Sequence, residues 1–421
     1  MRPFLTIWVG QAISLLGSQL VQFALIWWLT QETGSGTALA LATIAGLVPA
    51  ILLGPFAGVL VDRWNRRLTM ILADATVALA TVALAVLFWT GTVAIWHVYV
   101  ILFIRSLAGT FHWPALQAST TLMVPGEHLG RIQGLNQMVQ GGLNIVAAPL
   151  GALLIMSLPV QGILAIDVFT ALIAISTLVV VTVPQPPREA RMVELSPWRS
   201  FWGELADGLR YVRAWRGLMI LMGVAMLINM VLSPSSSLLP LLITNYFQGS
   251  ALSLGTIEAA LGVGILLGGL ALSAWGGFRR QVVTGLVGVI GIGLGALVVG
   301  LTPASLFAMA VAGMFVVGVM SSLTNGPIMA VIQKTVEPSM QGRVFTLLSS
   351  AAGAMMPLGL AIAGPLADAV GVQTWFVIGG MLTTVIGVAG FFMPALMRIE
   401  DGPPGHTPIA APVEAVRLPA D

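Results

Sequence analysis

Few residues in this chain can carry charge or a proton, and their positions are more informative than their number. Of eighteen Lys and Arg residues, only Arg105 lies deep inside an apolar run, Leu102-Phe-Ile-Arg105-Ser-Leu-Ala-Gly109. A guanidinium in hydrocarbon costs at least ~2.5 kcal/mol unless a carboxylate or water accompanies it. The acids able to meet it are Asp167 and Glu258, each inside another apolar run, and His112 follows Arg105 by seven residues on nearly the same helical face. An arginine, buried acids and a histidine can together take up and hand on protons. Asp167 lies deeper in its run than Glu258, so it ranks first as the protonatable group.

A second constellation joins the second and third apolar runs: Gly58-Val-Leu-Val-Asp62-Arg63-Trp-Asn-Arg66-Arg67. Gly58 permits close helix approach, and Asp62 among Arg63, Arg66 and Arg67 can form an ion-pair lock that opens and closes. Asp74, one to two turns into the next run, can hold one of those arginines. Polar stripes mark the faces that would see water. Ser18 and Gln22 fall within about 20° of Gln11 on a helix, and Gln137, Gln140 and Asn144 within about 40° of Gln133. Two such stripes facing each other would line a cavity, to which Asn229, with Met222 and Met226 nearby, adds a polar group and pliable apolar surface. In Gly141-Gly142-Leu-Asn-Ile-Val-Ala-Ala-Pro149-Leu-Gly151, Pro149 removes one backbone bond and Gly151 permits tight packing, so this helix has a hinge.

Other chemistries are excluded or unsupported. The chain has no cysteine and four scattered histidines, so no metal centre is expected. It lacks a nucleophile elbow, an HExxH pair and a P-loop lysine, which argues against an enzyme and against a nucleotide-driven pump. The net charge of +2 comes from loop arginines and reads as membrane orientation, not nucleic-acid binding. The bilayer is an expected partner, no cofactor is expected, and the carrier is expected to be a monomer.

The elements that must position these residues follow from composition. The 421 residues are 57% hydrophobic and 8% charged, with a mean hydropathy of +0.97, far from the roughly 25% charge of a soluble domain. Apolar windows predict twelve membrane helices, near 4–30, 38–61, 69–90, 96–122, 130–156, 160–183, 217–245, 252–276, 281–300, 303–333, 343–368 and 371–396. Loops after even-numbered spans carry the basic residues and loops after odd-numbered spans carry none, which places both termini in the cytoplasm. Gly130-Arg131 and Arg66-Arg67 recur in the second half as Gly342-Arg343 and Arg279-Arg280, the mark of a duplicated six-helix unit. The predicted organisation is an all-α membrane protein with two pseudo-symmetric six-helix bundles, 1–183 and 217–397. A linker, 184–216, would contain an interfacial amphipathic helix from Pro197 that presents Trp198, Phe201, Trp202, Leu205, Leu209 and Val212 on one side. A Pro-rich tail, 398–421, reads as disordered.

The loop Gly58 to Arg67 resembles the signature loop of the major facilitator superfamily, the run around Arg105 its embedded-arginine motif, and Gly141 to Gly151 its antiporter motif, with Ala148 where glycine is usual. A closer resemblance, to the macrolide-efflux permeases among the drug:proton antiporters, is carried by several segments. These are Thr6-Ile-Trp-Val-Gly-Gln-Ala-Ile-Ser14, Gly54-Pro55 to Asp62-Arg63, Met70-Ile-Leu-Ala-Asp74, Leu102 to Leu116, Ala165-Ile-Asp167-Val and Gly342-Arg343-Val-Phe. The resemblance implies a proton-driven exporter of amphipathic drugs such as macrolides in a bacterial inner membrane, working by alternating access. It further implies that Gly58, Asp62, Arg63 and Arg67 close the cytoplasmic side and that Arg105 serves proton coupling. The interior of span one contains no acid, unlike several multidrug antiporters, so coupling is not copied from them. The same fold exporting a siderophore or other metabolite is the alternative; a channel lacks its selectivity rings here.

Overall fold

A chain immersed in hydrocarbon must satisfy its backbone donors and acceptors internally, and long apolar runs do so as helices. In the computed structural model, which describes residues 2–125, 128–185 and 197–402, twelve helices are long and apolar enough to cross a membrane. The first six are α1 (Arg2–Thr33), α2 (Gly36–Arg63), α3 (Arg66–Trp89), α4 (Ile95–Met123), α5 (Leu129–Ser157) and α6 (Val160–Val180). After a short α7 (Pro197–Ala214) come α8 (Arg216–Leu241, running into a π-helical turn Leu242–Tyr246), α9 (Ala251–Trp275), α10 (Gln281–Leu301), α11 (Phe307–Thr335), α12 (Pro338–Val370) and α13 (Val372–Phe391). Every predicted span has its helix, and no strand is formed among the described residues.

The two halves use the same pairings. In the first, α1 packs on α5 and α6, α3 on α4 and α6, and α2 on α4; in the second, α8 packs on α12 and α13, α10 on α11 and α13, and α9 on α11. Across the molecule α5 meets α9 and α2 meets α12. Glycine faces let the second-half helices approach closely. A Cβ at Gly318 of α11 would run into the Leu261 carbonyl oxygen of α9, and one at Gly264 into the Phe315 carbonyl oxygen. Gly318→Ala is therefore expected to destabilise the protein by about 1–3 kcal/mol through overpacking. Gly353→Ala, where a Cβ would meet nothing within 4 Å, should stay within about 0.5 kcal/mol of the parent. Thermal unfolding of the two variants in detergent checks the contrast.

The two ends of the bundle differ. At the end whose loops have no Lys or Arg, one continuous apolar core joins both halves, including Leu25, Leu39 and Leu164 with Leu242, Ile257 and Phe376. At the arginine-rich end the cores are separate: one around Val212, Leu218 and Leu286 in the second half, others around Ile7, Met70 and Ile132 in the first. Among the described residues, a core shared by both halves forms at the arginine-free end and not at the other.

Two expectations need correction here. The amphipathic α7 does not simply lie in the interface: Val212 is fully buried among second-half residues, Gly208 abuts Arg343, and Arg343 Nη1 lies 3.3 Å from Asp207 Oδ2. Its predicted face at Trp198, Phe201, Trp202 and Leu205 is outside the described side chains. The tail does not leave the fold at 398, because Ile399 is buried and Glu400 Oε1 accepts a hydrogen bond from the Val282 amide at 2.8 Å. The rest of the predicted disordered segment, 403–421, is outside the described residues. Trp375 is 6% exposed within the core, whereas Trp89 and Trp96 face outward.

Candidate transport site

Arg105 finds its counter-charge on α6. Its Nη1 donates to Asp167 Oδ2 at 2.6 Å and to Thr81 Oγ1 at 2.7 Å. The Thr81 hydroxyl in turn donates to Asp167 Oδ2 at 3.1 Å, and Ser18 donates to Oδ1 at 3.2 Å. One carboxylate therefore ties α1, α3, α4 and α6 together, and it is fully buried. Gly17 makes the approach of α1 possible, since a Cβ there would collide with Thr170 beside Asp167. Pairing and hydrogen bonding of this kind are what make a charge tolerable inside a membrane protein.

His112 and Glu258 do not join that pair, contrary to the expectation from helical spacing. His112 Nε2 lies 3.3 Å from Asp74 Oδ1, without the alignment of a hydrogen bond, and Gln11 Nε2 donates to Asp74 Oδ2 at 3.0 Å. Asp74 thus binds no loop arginine; it faces inward between α1, α3 and α4. This is a second polar tie, and it corrects the reading of Gln11 and Ser18 as cavity residues. Their stripe is real, but most of it is consumed inside the first bundle, because α1 packs on α6 and its Gln11 reaches Asp74 of α3. Asn136 goes the same way, accepting from Trp8 Nε1 at 2.7 Å.

The cavity lies between the halves and has a volume of about 510 Å³, within the range of drug-sized sites. Gln19 and Gln22 of α1, Thr43 of α2, Ser236 and Ser237 of α8 and Glu258 of α9 are its polar lining, set in apolar wall from Phe23, Leu143, Leu261 and Met314. Gln22 and Glu258 are therefore cavity residues, as neighbours rather than as partners of Arg105. Gln137 is exposed and Gln140 half-buried, both off this lining. Asn229 turns back to the Ala225 carbonyl at 2.9 Å, Met226 is half-buried away from the cavity, and Met222 packs on the apolar cluster of the arginine-rich end. The side chains of Asp62, Gln133 and Asn144 are not among those described.

The ends of this cavity are built differently. At the arginine-free end, Asp368, on the last turn of α12, accepts from Ser35 Oγ (2.9 Å), the Gly36 amide (2.5 Å), the Thr37 amide (3.1 Å) and Thr37 Oγ1 (2.6 Å). An acid of one half thereby caps the helix N-terminus of the other. Asn245 adds a bond to the Gly34 carbonyl at 3.3 Å. Nearby, Gly255 of α9 would place a Cβ 3.0 Å from both the Ala148 oxygen and Pro149 Cα, so the expected hinge at Pro149 and Gly151 sits in the contact between halves. Ala148, the departure from the antiporter pattern, is itself part of that contact. At the arginine-rich end a Cβ added at Gly54, Gly58, Gly134, Gly142, Gly342 or Gly353 would meet nothing within 4 Å. There, Arg66 Nη1 donates to the Ala118 carbonyl at 2.8 Å, and Arg67 donates to the carbonyls of Leu178 and Val179. Arg63 is exposed. Arg66 and Arg67 thus bind carbonyls of α4 and of the last turn of α6 within their own half.

Comparison with known proteins now identifies the architecture. The family model described as transmembrane secretion effector matches residues 1–409. The chain belongs to that family, within the major facilitator superfamily. Among its relatives, macrolide efflux protein A of Streptococcus pyogenes is 35% identical over 385 residues, covering 91% of this chain and 94% of the relative. The multidrug efflux pump Tap of Mycolicibacterium fortuitum is 28% identical, covering 94% and 97%. In fold, a bacterial homologue of the lysosomal transporter Spinster superimposes with a TM-score of 0.74 at 14% identity, covering 95% of this chain and 98% of that one.

In this secretion effector two polar residues carry the architecture without having stood out in the sequence. Thr81 lies seven positions beyond Asp74 on the same face of α3, a spacing that marks it as inward-facing. Asp368 carries no such signal. Ser35-Gly36-Thr37 reads as a helix start, with Ser35 Oγ accepting from the Ala38 amide at 3.3 Å, but nothing local says that the acid completing the cap comes from the other half.

Proposed function

We propose that this chain exports amphipathic small molecules, macrolides among them, in exchange for protons by alternating access. The names of its relatives supply the cargo class, and the geometry supports the cycle. With the arginine-rich end taken as cytoplasmic by the positive-inside rule, we read this arrangement as the inward-open member of the cycle, supported by the ties of Asp368 and the α5–α9 contact at the outer end. Export requires the opposite arrangement, in which the arginine-rich ends close around Gly58 and its loop.

The observation that carries the reading is the link between the buried pair and the cavity along α1. Ser18 binds Asp167, and the next residue, Gln19, together with Gln22 one turn on, lines the cavity. Protonating Asp167 removes the charge that holds Arg105, Thr81 and Ser18 in place, so α1 and the cavity wall respond to the proton. Glu258, in the wall itself, is the second acid able to carry a proton. His112 and Asp74 fit a structural tie better, because they lie against each other and Asp74 accepts from Gln11, none of the three lining the cavity. The energy source is the proton gradient, worth ~2.3 kcal/mol per charge per 100 mV from its electrical part.

The test is accumulation of a panel of fluorescent and radiolabelled lipophilic drugs in cells with and without the protein, repeated with an uncoupler. The expected result is lower accumulation in the expressing cells, restored to the control level once the gradient collapses. Equal accumulation in both cell types across the panel overturns the efflux reading, and export that survives the uncoupler overturns proton coupling.

A further inference from the structure

The cavity wall has a property that the transport cycle does not require. Among the described residues, Glu258 is the single charged group lining the cavity, with no Lys, Arg or His beside it. The buried cation of the first half, Arg105, is already committed to Asp167 at 2.6 Å. The described structure gives the Glu258 carboxylate no hydrogen-bond donor, although Gln19 and Gln22 line the same space across from it. Around it the surface is apolar, from Phe23, Ile26, Leu254 and Leu261.

We infer that Glu258 is the recognition point for a protonated amine, so the preferred cargo is an amphipathic organic cation whose ammonium seats on this carboxylate while its apolar body fills the rest of the cavity. This inference rests on the efflux reading and narrows it. An acid with no partner inside an apolar wall is a poor resting place for a neutral or anionic guest. A cation gains a charge-assisted hydrogen bond there that its uncharged congener cannot make. The amides of Gln19 and Gln22 have carbonyl oxygens to offer the remaining ammonium protons. The same chemistry excludes anionic cargo, which would meet Glu258 with no basic residue to offset the repulsion.

The experiment uses the full-length protein with a matched pair of probes: a radiolabelled macrolide bearing one tertiary amine, and its N-demethyl-N-acetyl congener, which has nearly the same shape and no charge. Binding is measured in detergent and transport in proteoliposomes, for the parent, Glu258→Gln and Glu258→Asp. The parent should bind the amine about thirtyfold more tightly than the amide, Glu258→Gln should abolish that preference by weakening amine binding alone, and Glu258→Asp should keep most of it. A preference unchanged in Glu258→Gln overturns the assignment. Failure of the parent to bind or transport either probe strikes the efflux reading itself, and the two failures are distinguishable because only the second affects the parent. A measurement on the unmutated protein removes dependence on the folding of the variants. A hydrophobic carbodiimide should label Glu258, detected by peptide mass spectrometry, and the amine should protect it where the amide does not. Equal labelling with and without saturating amine also overturns the assignment.

Discussion

Asparagine in place of Asp167 is expected to abolish drug-driven proton exchange in proteoliposomes while leaving a folded, less stable protein. The substitution keeps volume but has a single acceptor oxygen, so it can accept from Ser18 or from Thr81, which donate to different carboxylate oxygens at 3.2 and 3.1 Å, and not from both. It removes the negative charge 2.6 Å from Arg105 Nη1, and an arginine left unpaired in a buried site costs about 3–5 kcal/mol. Two readouts separate coupling from stability. Exchange, followed by a pH-sensitive dye trapped inside the vesicles, should vanish. The melting temperature in detergent should fall and then recover in the double variant Asp167→Asn/Arg105→Gln, because removing both charges leaves neither one stranded. Recovery of stability without recovery of exchange is the expected signature of a coupling pair. Undiminished exchange in Asp167→Asn would eliminate that role, and Glu258 would remain as the proton carrier.

The fold was legible in the sequence because hydrocarbon imposes a strong, local rule. A run of apolar residues long enough to cross must become a helix, whatever its neighbours do. The twelve windows accordingly match the helices to within a few residues, and even the Pro-rich stretch of α8, with Pro234 and Pro240, stays helical before its π-helical turn. Pairing between elements was legible only where one partner was rare. Arg105 needed an acid, the chain offers few in apolar runs, and Asp167 is the one that meets it. Amides and hydroxyls are numerous, so a polar stripe alone does not say whether it faces water or another helix. Gln11 and Ser18 share a face with Gln22, yet the first two are consumed by Asp74 and Asp167 while the third reaches the cavity. The decision belongs to the packing of α1 on α5 and α6, which helical periodicity does not encode. His112 illustrates the same limit. Its spacing from Arg105 is right for a shared face, but two turns along a helix is far enough to reach a different acid.

Asp368→Asn should shift the molecule toward the outward-open arrangement. The carboxylate accepts two backbone amides and two hydroxyls from the start of α2, placing negative charge where the exposed N–H groups and dipole of a helix favour it. Asparagine keeps one acceptor oxygen, presents an NH₂ to donors, and loses the charge. Hydrogen bonds to a charged group contribute about 1.5–3 kcal/mol each at most, and Asp368 is exposed, so solvent screening reduces the joint effect. A net loss of about 1.4 kcal/mol changes the ratio of closed to open outer ends tenfold. Because the chain has no cysteine, two introduced ones give unambiguous spin labels. Thr92 in the α3–α4 loop and Leu306 before α11 are both exposed, on opposite halves and at the arginine-free end. The distance distribution between them should acquire a longer component in Asp368→Asn and none in the parent under the same conditions. Gly36→Ala offers an independent approach to the same contact, since its Cβ would lie 3.0 Å from the Ala367 methyl and should open the same end by crowding instead of by loss of charge. If neither substitution lengthens that distance, the outer end is held by the apolar core around Leu39, Leu242 and Phe376 alone, and the cap is incidental to closure.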